Sequence, residues 1–316
     1  MNNKYEFTNE PVLYGGIVLH RIRALTSFKL PHGRILNAGD LGGLIEKESN
    51  LSQGGSCWIL EGAKVFGNAI VSGDAEIRDE AQVCNNARVY GRAIVMGTAS
   101  IFENARIFGD SCVSWKAQVF DDANVWGNAF VSGEAQVFGN ASISGFAGVS
   151  GNANVYGNAD IFGNARIGEL AKIYGATRIF DFAVIKGQAR IYGKAVIFGY
   201  ATIVGNCSVF ENAIVFGGSD IRGNARLAKD AFITDTTDVV VAGPIGSRED
   251  YVTFYLTQKS EVRVKCGCFC GSVAEFLFRV HKTHGNSKHA KVYKAFTKGA
   301  LYQLAYRPTK KEEEEL

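Results

Sequence analysis

From Cys57 to Ile233 the chain repeats one six-residue phrase, about thirty times without a break. A small residue stands at 57, 63, 69 and every sixth position to 231. All are Ala except Cys57, Ser111, Thr177, Cys207 and Ser219. Two residues later comes Val or Ile, with Leu227 the exception, and two further on Gly dominates, as at Gly67, Gly73, Gly91, Gly97, Gly127, Gly133 and Gly139. Three positions held in register over so long a stretch are the mark of a repeat architecture, in which each unit buries its apolar face only against the next.

The phrase has a direct physical reading. In Ala63-Lys64-Val65-Phe66-Gly67-Asn68, alternation puts Ala63 and Val65 on one face and Lys64 and Phe66 on the other. Four residues make a short strand. Gly-Asn then bends the chain, because Gly accepts positive φ and Asn satisfies its own backbone locally. A strand and a bend that always turn the same way must coil. The inward residues are only Ala and Val or Ile, so the tube is narrow and fills without voids.

The bends carry a threefold beat. Those at 73, 91, 109, 127, 145, 163, 199 and 217 are Gly, with Asp181 the break. The other bends admit Glu61, Asp79, Glu103, Trp115, Asp121, Glu169 and Glu211. Three hexads per coil predict a triangular prism of about ten coils, roughly 45–50 Å long. The phrase resembles the hexapeptide repeat of left-handed parallel β-helices. More narrowly it resembles bacterial and phage hexapeptide-repeat proteins that carry a transferase label. The resemblance implies a single-stranded left-handed parallel β-helix, mainly β, and supplies the hand, which periodicity does not.

The flanking segments differ in texture. Residues 1–56 read as an N-terminal cap, since a first coil exposes unpaired backbone and an open apolar end. Arg21-Ile22-Arg23-Ala24-Leu25, Ala38-Gly39-Asp40-Leu41-Gly42-Gly43, Leu51-Ser52 and Cys57-Trp58-Ile59 are similar to the segment preceding the repeat in the same group. Arg21, Arg23 and Asp40 there read as hydrogen bonds fixing the cap, with a ligand pocket as the sharper alternative. The repeat spans 57–238. Residues 239–308 read as a small ββαα, α+β C-terminal domain, and 309–316 as a charged tail. Two strands are expected, over 251–256 and 261–266. Ser272 with Glu275 predicts a capped helix. A second helix follows from about Lys288 to Leu304, with Val292, Phe296 and Leu301 as its apolar side. The run Cys266-Gly267-Cys268-Phe269, with Gly271 and Glu275-Phe276, resembles a C-terminal domain found on some phage hexapeptide proteins.

Charge and cysteine usage bound the function. Net charge is +3 and the repeat is near neutral, which is not a nucleic-acid footprint; the basic stretch 261–298 reads as solvated helices. Seven thinly spread Cys and the absence of a leader pattern read as a cytoplasmic protein, in the host cytoplasm if phage-encoded. No apolar run suits a bilayer.

The outward positions carry the candidate surfaces. At a step of 18, one row reads Phe66, Cys84, Phe102, Phe120, Phe138, Tyr156, Tyr174, Tyr192, Phe210, and a second Tyr90, Phe108, Trp126, Ser144, Phe162, Phe180, Phe198, Phe216. The rings stack along the tube or form an interface. At about 100 Å² per ring a ladder of eight exceeds the few hundred Å² that marks binding surfaces. The candidate interface is Phe102, Phe120, Phe138, Tyr156, Tyr174, Tyr192, Phe162, Phe180, Phe198 and Phe216, in a homo-oligomer, trimer or dimer. Arg88 and Arg106 fall one coil apart, about 5 Å in the stacking direction, a pair suited to a phosphate.

Three chemistries compete with binding. Acyl transfer from CoA, which the resemblance suggests, generally needs a His base and a loop thrown out between coils. The His residues are His20, His32, His281, His284 and His289, none in the repeat, and the repeat has no insertion. Zinc would draw on Cys266, Cys268 and Cys270, which alternate along one expected strand, and on His281 and His284; the spacing lacks the usual C-x₂-C form. The third is nucleic acid, through the basic C-terminal helices, which lack clear base-reading residues; a structural rod is a further class. The residues favour a non-enzymatic binding or scaffold protein that oligomerises, with no cofactor or metal. As a phage product it would bind a host protein or sequester a small anionic metabolite at subunit clefts.

Overall fold

The computed structural model describes residues 3–305. The charged tail 309–316 lies outside them, as do 306–308. The chain divides into two compact units, Met1–Glu169 and Leu170–Leu316.

In the first unit the hexads form a parallel β-solenoid. Strand pairing steps by 18 residues, so each coil has three sides. One sheet stacks Lys64, Gln82, Ser100, Gln118, Gln136 and Asn154. A second stacks Ile70, Arg88, Arg106, Asn124, Ser142 and Asp160. The third stacks Trp58, Glu76, Ile94, Cys112, Phe130, Gly148 and Arg166. The regular strands are two residues long, as at Lys64–Val65, rather than four. The backbone ladder still covers the whole side: Lys64 N–H donates to Ala81 O at 3.0 Å and Phe66 N–H to Val83 O at 3.0 Å. Inward Ala, Val and Ile are fully buried throughout.

The bends sit in the left-handed region, at Gly73, Gly91 and Gly109 but also at Asp79, Asn85, Glu103, Trp115 and Asp121. At the bend expected at Glu61, the left-handed residue is Gly62, with φ +91°. Gly91 is the tight case: a Cβ there would lie 2.9 Å from the amide nitrogen of Gly109. The acidic bends are stabilised by their own side chains. Asp79 accepts from Gly97 N–H at 2.8 Å, Glu103 from Asp121 N–H at 2.8 Å and Asp121 from Gly139 N–H at 2.9 Å, each one coil along. A neighbouring ladder of amides runs Asn68–Asn86–Asn104–Asp122 at 3.1–3.3 Å.

The N-terminal segment builds an antiparallel hairpin, Tyr5–Tyr14 and Ile17–Ala24. Ile17–Ala24 pairs antiparallel with Leu41–Ile45, which in turn pairs parallel with Lys64–Val65. The hairpin therefore continues the first sheet past the first coil and removes its open edge. Trp58 is fully buried, its ring edge-on to Tyr5 at 6.4 Å and Phe28 at 5.5 Å. Buried Lys4 is satisfied by Cys57 O at 2.9 Å and further carbonyls of the 54–55 loop. Arg21 reaches Glu61 at 3.3 Å and Arg23 pairs with Glu6, while Asp40 accepts from Asn37 N–H.

The second unit has its own three-sided parallel coil, to Ile233, and an antiparallel sheet. That sheet has four strands where the sequence suggests two: Val239–Ile245, Asp250–Leu256, Val262–Cys266 and Phe269–Ser272. The fourth arises because Gly267, at φ +53°, turns the chain inside the Cys-rich run. Ser272 caps helix α1 (Val273–His284) with Glu275 in reciprocal bonds. Helix α2 is Lys288–Gln303, capped by Ser287. Its buried side is Ala290, Tyr293, Thr297, Ala300 and Leu301; Phe296, expected inside, is 46% exposed. Tyr293, Thr297 and Leu301 follow the i, i+4 spacing that one helix face allows, and Phe296 falls off it. This sheet meets the coil through Arg226–Asp250 at 3.3 Å, Arg263–Asp230 at 3.4 Å and Tyr255 Oη–Ala228 O at 3.1 Å.

Candidate functional site

Arg88 and Arg106 face each other in register across adjacent parallel strands. The register is fixed by the backbone: Arg88 N–H donates to Ala105 O and Arg106 N–H to Ala123 O, both at 2.9 Å. Both side chains are exposed, and among the described residues neither guanidinium has an ion-pair or hydrogen-bond partner. Arg92, by contrast, lies 3.4 Å from Asp110. Two unit charges about 5 Å apart repel by about 1 kcal/mol in water, and an anion between them removes that cost.

The pair lines a cleft of about 280 Å³ with Ile70, Ser72 and Tyr90. Tyr90 heads a stack, with Phe108 at 4.9 Å and parallel to it within 1°, then Trp126 at 5.9 Å. One coil before Tyr90 the row holds Ser72, so the stack starts at Tyr90 and a small hydroxyl residue borders its outer side. The cleft offers two cations on backbone positions held in register, a hydroxyl and an aromatic ring. Guanidiniums at this separation suit the several oxygens of a phosphate or similar oxyanion.

The aromatic rows stack face to face. Phe102, Phe120, Phe138 and Tyr156 follow at 4.8 Å, Tyr174 and Tyr192 at 5.0 Å, and Phe180, Phe198 and Phe216 at 5.0 and 4.9 Å, all within 5° of parallel. Phe162 follows Ile161, which pairs with Ile143, so it stands one coil beyond Ser144. All ten candidate rings are half-buried: faces cover one another and edges face outward. A further stacked pair, Phe182 and Tyr200 at 5.1 Å, sits at bend positions and is half or more exposed.

The C-terminal candidates do not converge. Cys266 and Cys270 lie on two different strands and Cys268 at the turn between them, because Gly267 reverses the chain; they are not three residues on one face of one strand. Burial pushes the Cys266 thiol up. His284 packs against His289 and Tyr293 at 5.9 and 5.7 Å. Among the described residues no three His, Cys, Asp or Glu side chains are grouped to hold a metal ion. No helix among them is long and apolar enough to cross a membrane.

One constellation is not visible in the repeat pattern. Glu76 sits in an outward position yet is only 2% exposed, because the small hairpin Phe28–Lys29/Ile35–Leu36 brings the 30–34 turn over it. His32 Nδ1 lies 2.8 Å from Glu76 Oε1, His32 N–H 3.4 Å from the same oxygen, and Arg78 4.0 Å from Oε2. A repeat without His therefore still carries an imidazole on its surface. The sequence signal was Glu76 itself, a carboxylate between Trp58 and Ile94 in its row.

A family model described as the YdcK beta solenoid repeat matches residues 81–97, a stretch that includes Arg88 and Tyr90. No match to a curated protein is found. The chain is a β-solenoid repeat protein on the match and the coil geometry together.

Proposed function

We propose that the chain is a non-enzymatic binding protein that captures a small anionic ligand in the Arg88–Arg106 cleft and works as a homo-oligomer. The observation that carries this reading is the pair of in-register guanidiniums, both without carboxylate partners, beside the head of an aromatic stack. A solenoid suits the task, because a rigid backbone holds two charges at a spacing that flexible loops would relax. A ligand with a flat ring and an anionic group would extend the stack from Tyr90 while its oxygens reach both Arg. The exposed ring edges of the ladders are the surfaces through which copies of the chain, or a host protein, would meet it. The resemblance to phage hexapeptide proteins suggests a setting: a phage product that sequesters a small anionic metabolite in the host cytoplasm.

The test is native mass spectrometry of protein freshly purified from cells. The expected result is an oligomer carrying a small extra mass, released on denaturation and absent from Arg88→Ala/Arg106→Ala. The same mass retained by that double variant would overturn the role given to the two Arg.

A further inference from the structure

We propose that the cleft beneath the 30–34 turn is a second ligand site, which takes a small molecule carrying both an anionic group and a hydroxyl. It lies on a different side of the coil from Arg88 and stands independently of that cleft. Its volume is about 510 Å³, and its walls include His32, Arg34, Glu76 and Arg78, with Leu60 and Met96 as apolar surface.

The ligand class follows from which hydrogen-bonding groups are already spent. Every carboxylate in the cleft has a partner. Glu76 is held by His32 and Arg78, Glu61 by Arg21, and Asp79 by the N–H of Gly97. The cations are not spent in the same way. Among the described residues the Arg34 guanidinium has no ion-pair or hydrogen-bond partner, while Arg78 stands 4.0 Å from Glu76 and donates to Met96 Sδ at 3.0 Å. Arg34 is thus open to an anion, and Arg78 keeps further N–H groups beyond these two contacts.

The imidazole adds one acceptor. An ionised carboxylate only accepts, so the 2.8 Å contact to Glu76 places a proton on Nδ1, and the neutral imidazole then carries its lone pair on Nε2. Nε2 has no partner among the described residues, and the ring lines the cleft. A fitting ligand therefore supplies acceptor oxygens for Arg34 and Arg78, a hydroxyl to donate to Nε2, and a short carbon skeleton for Leu60 and Met96. Hydroxylated phosphates and hydroxy-carboxylates share this chemistry. Burying Glu76 costs several kcal/mol unless it is paired. The pairing fixes the ring's tautomer and orientation, which a cap held by packing alone does not need.

The experiment follows the Cε1–H resonances of the five His in the full chain by NMR. The probes are glycerol 3-phosphate and glycolate. A saturable shift of the His32 resonance with either one is expected, and the tighter probe distinguishes phosphate from carboxylate. Arg34→Gln and Arg78→Gln should each weaken binding about tenfold, the loss of one charge-assisted hydrogen bond. Arg88→Ala should leave it unchanged. Arg34 is exposed, so its variant tests the site with little effect on the fold. No saturable His32 shift with either probe, or equal affinity in Arg34→Gln and Arg78→Gln, would overturn the proposal.

Discussion

The carboxylate of Asp79 accepts the backbone N–H of Gly97, one coil along, at 2.8 Å. This bond explains how a residue with a Cβ occupies a bend at φ +58°. The left-handed region costs a non-glycine residue about 1–2 kcal/mol, which a charge-assisted bond to the next coil offsets. Asp79→Ala keeps the cost and loses the bond, so it should destabilise by about 1–3 kcal/mol. Asp79→Gly should cost less than Asp79→Ala, because it relieves the backbone. Guanidinium denaturation of the two variants side by side checks the order, and equal losses would argue that the carboxylate bond carries no weight.

Phe120 lies between Phe102 and Phe138 at 4.8 Å from each. Removing it breaks two stacked pairs, each worth about 0.5–1.5 kcal/mol beyond buried area. Phe120→Ala should therefore destabilise by about 1–3 kcal/mol. Trp115, 72% exposed, is the control: Trp115→Ala should stay within about 0.5 kcal/mol. If both variants unfold at the same denaturant concentration, stacking does not support the coil.

Ser272 and Glu275 cap helix α1 reciprocally, with Ser272 N–H to Glu275 Oε2 at 2.8 Å. Ser272→Ala should cost about 0.5–2 kcal/mol. The same bonds, first the backbone N–H of Ser272, hold the Glu275 carboxyl below the usual range. A depressed carboxylate stabilises the fold at pH values above its unfolded pKa, and that contribution is lost as pH falls through the folded pKa. Amide protection in the first turn of α1, taken relative to the unfolded exchange rate at each pH, should thus fall in acid for the native chain and show a flatter acid response in Glu275→Gln. An identical acid response in both would contradict the assignment.

The periodic part of the molecule was legible because each position fixes its own environment. A step of six decides inward or outward, and a step of 18 decides which residues touch. Val83 and Ile101 are buried neighbours, and Arg88 and Arg106 are exposed ones, on spacing alone. Contacts made by non-periodic chain were not legible. His32 reaches Glu76 across 44 residues through a hairpin that no repeat encodes. The strand expected to carry Cys266, Cys268 and Cys270 folds back at Gly267, since alternation of Cys looks the same in a strand and in a hairpin. Helix α2 was placed correctly but turned: Phe296 is more apolar than Thr297, yet Thr297 bonds to Tyr293 O at 2.8 Å and lies inside.

The most direct test of the binding account is calorimetric titration of pyrophosphate into the native chain and into Arg88→Ala and Arg106→Ala. The account predicts a saturable site per chain that depends on Arg88 and Arg106. It also predicts that either single variant weakens binding about tenfold or more, and that affinity falls as salt rises. Binding of equal strength in the native chain and in both variants, or no binding to the native chain after it has been refolded free of any co-purified ligand, would contradict it.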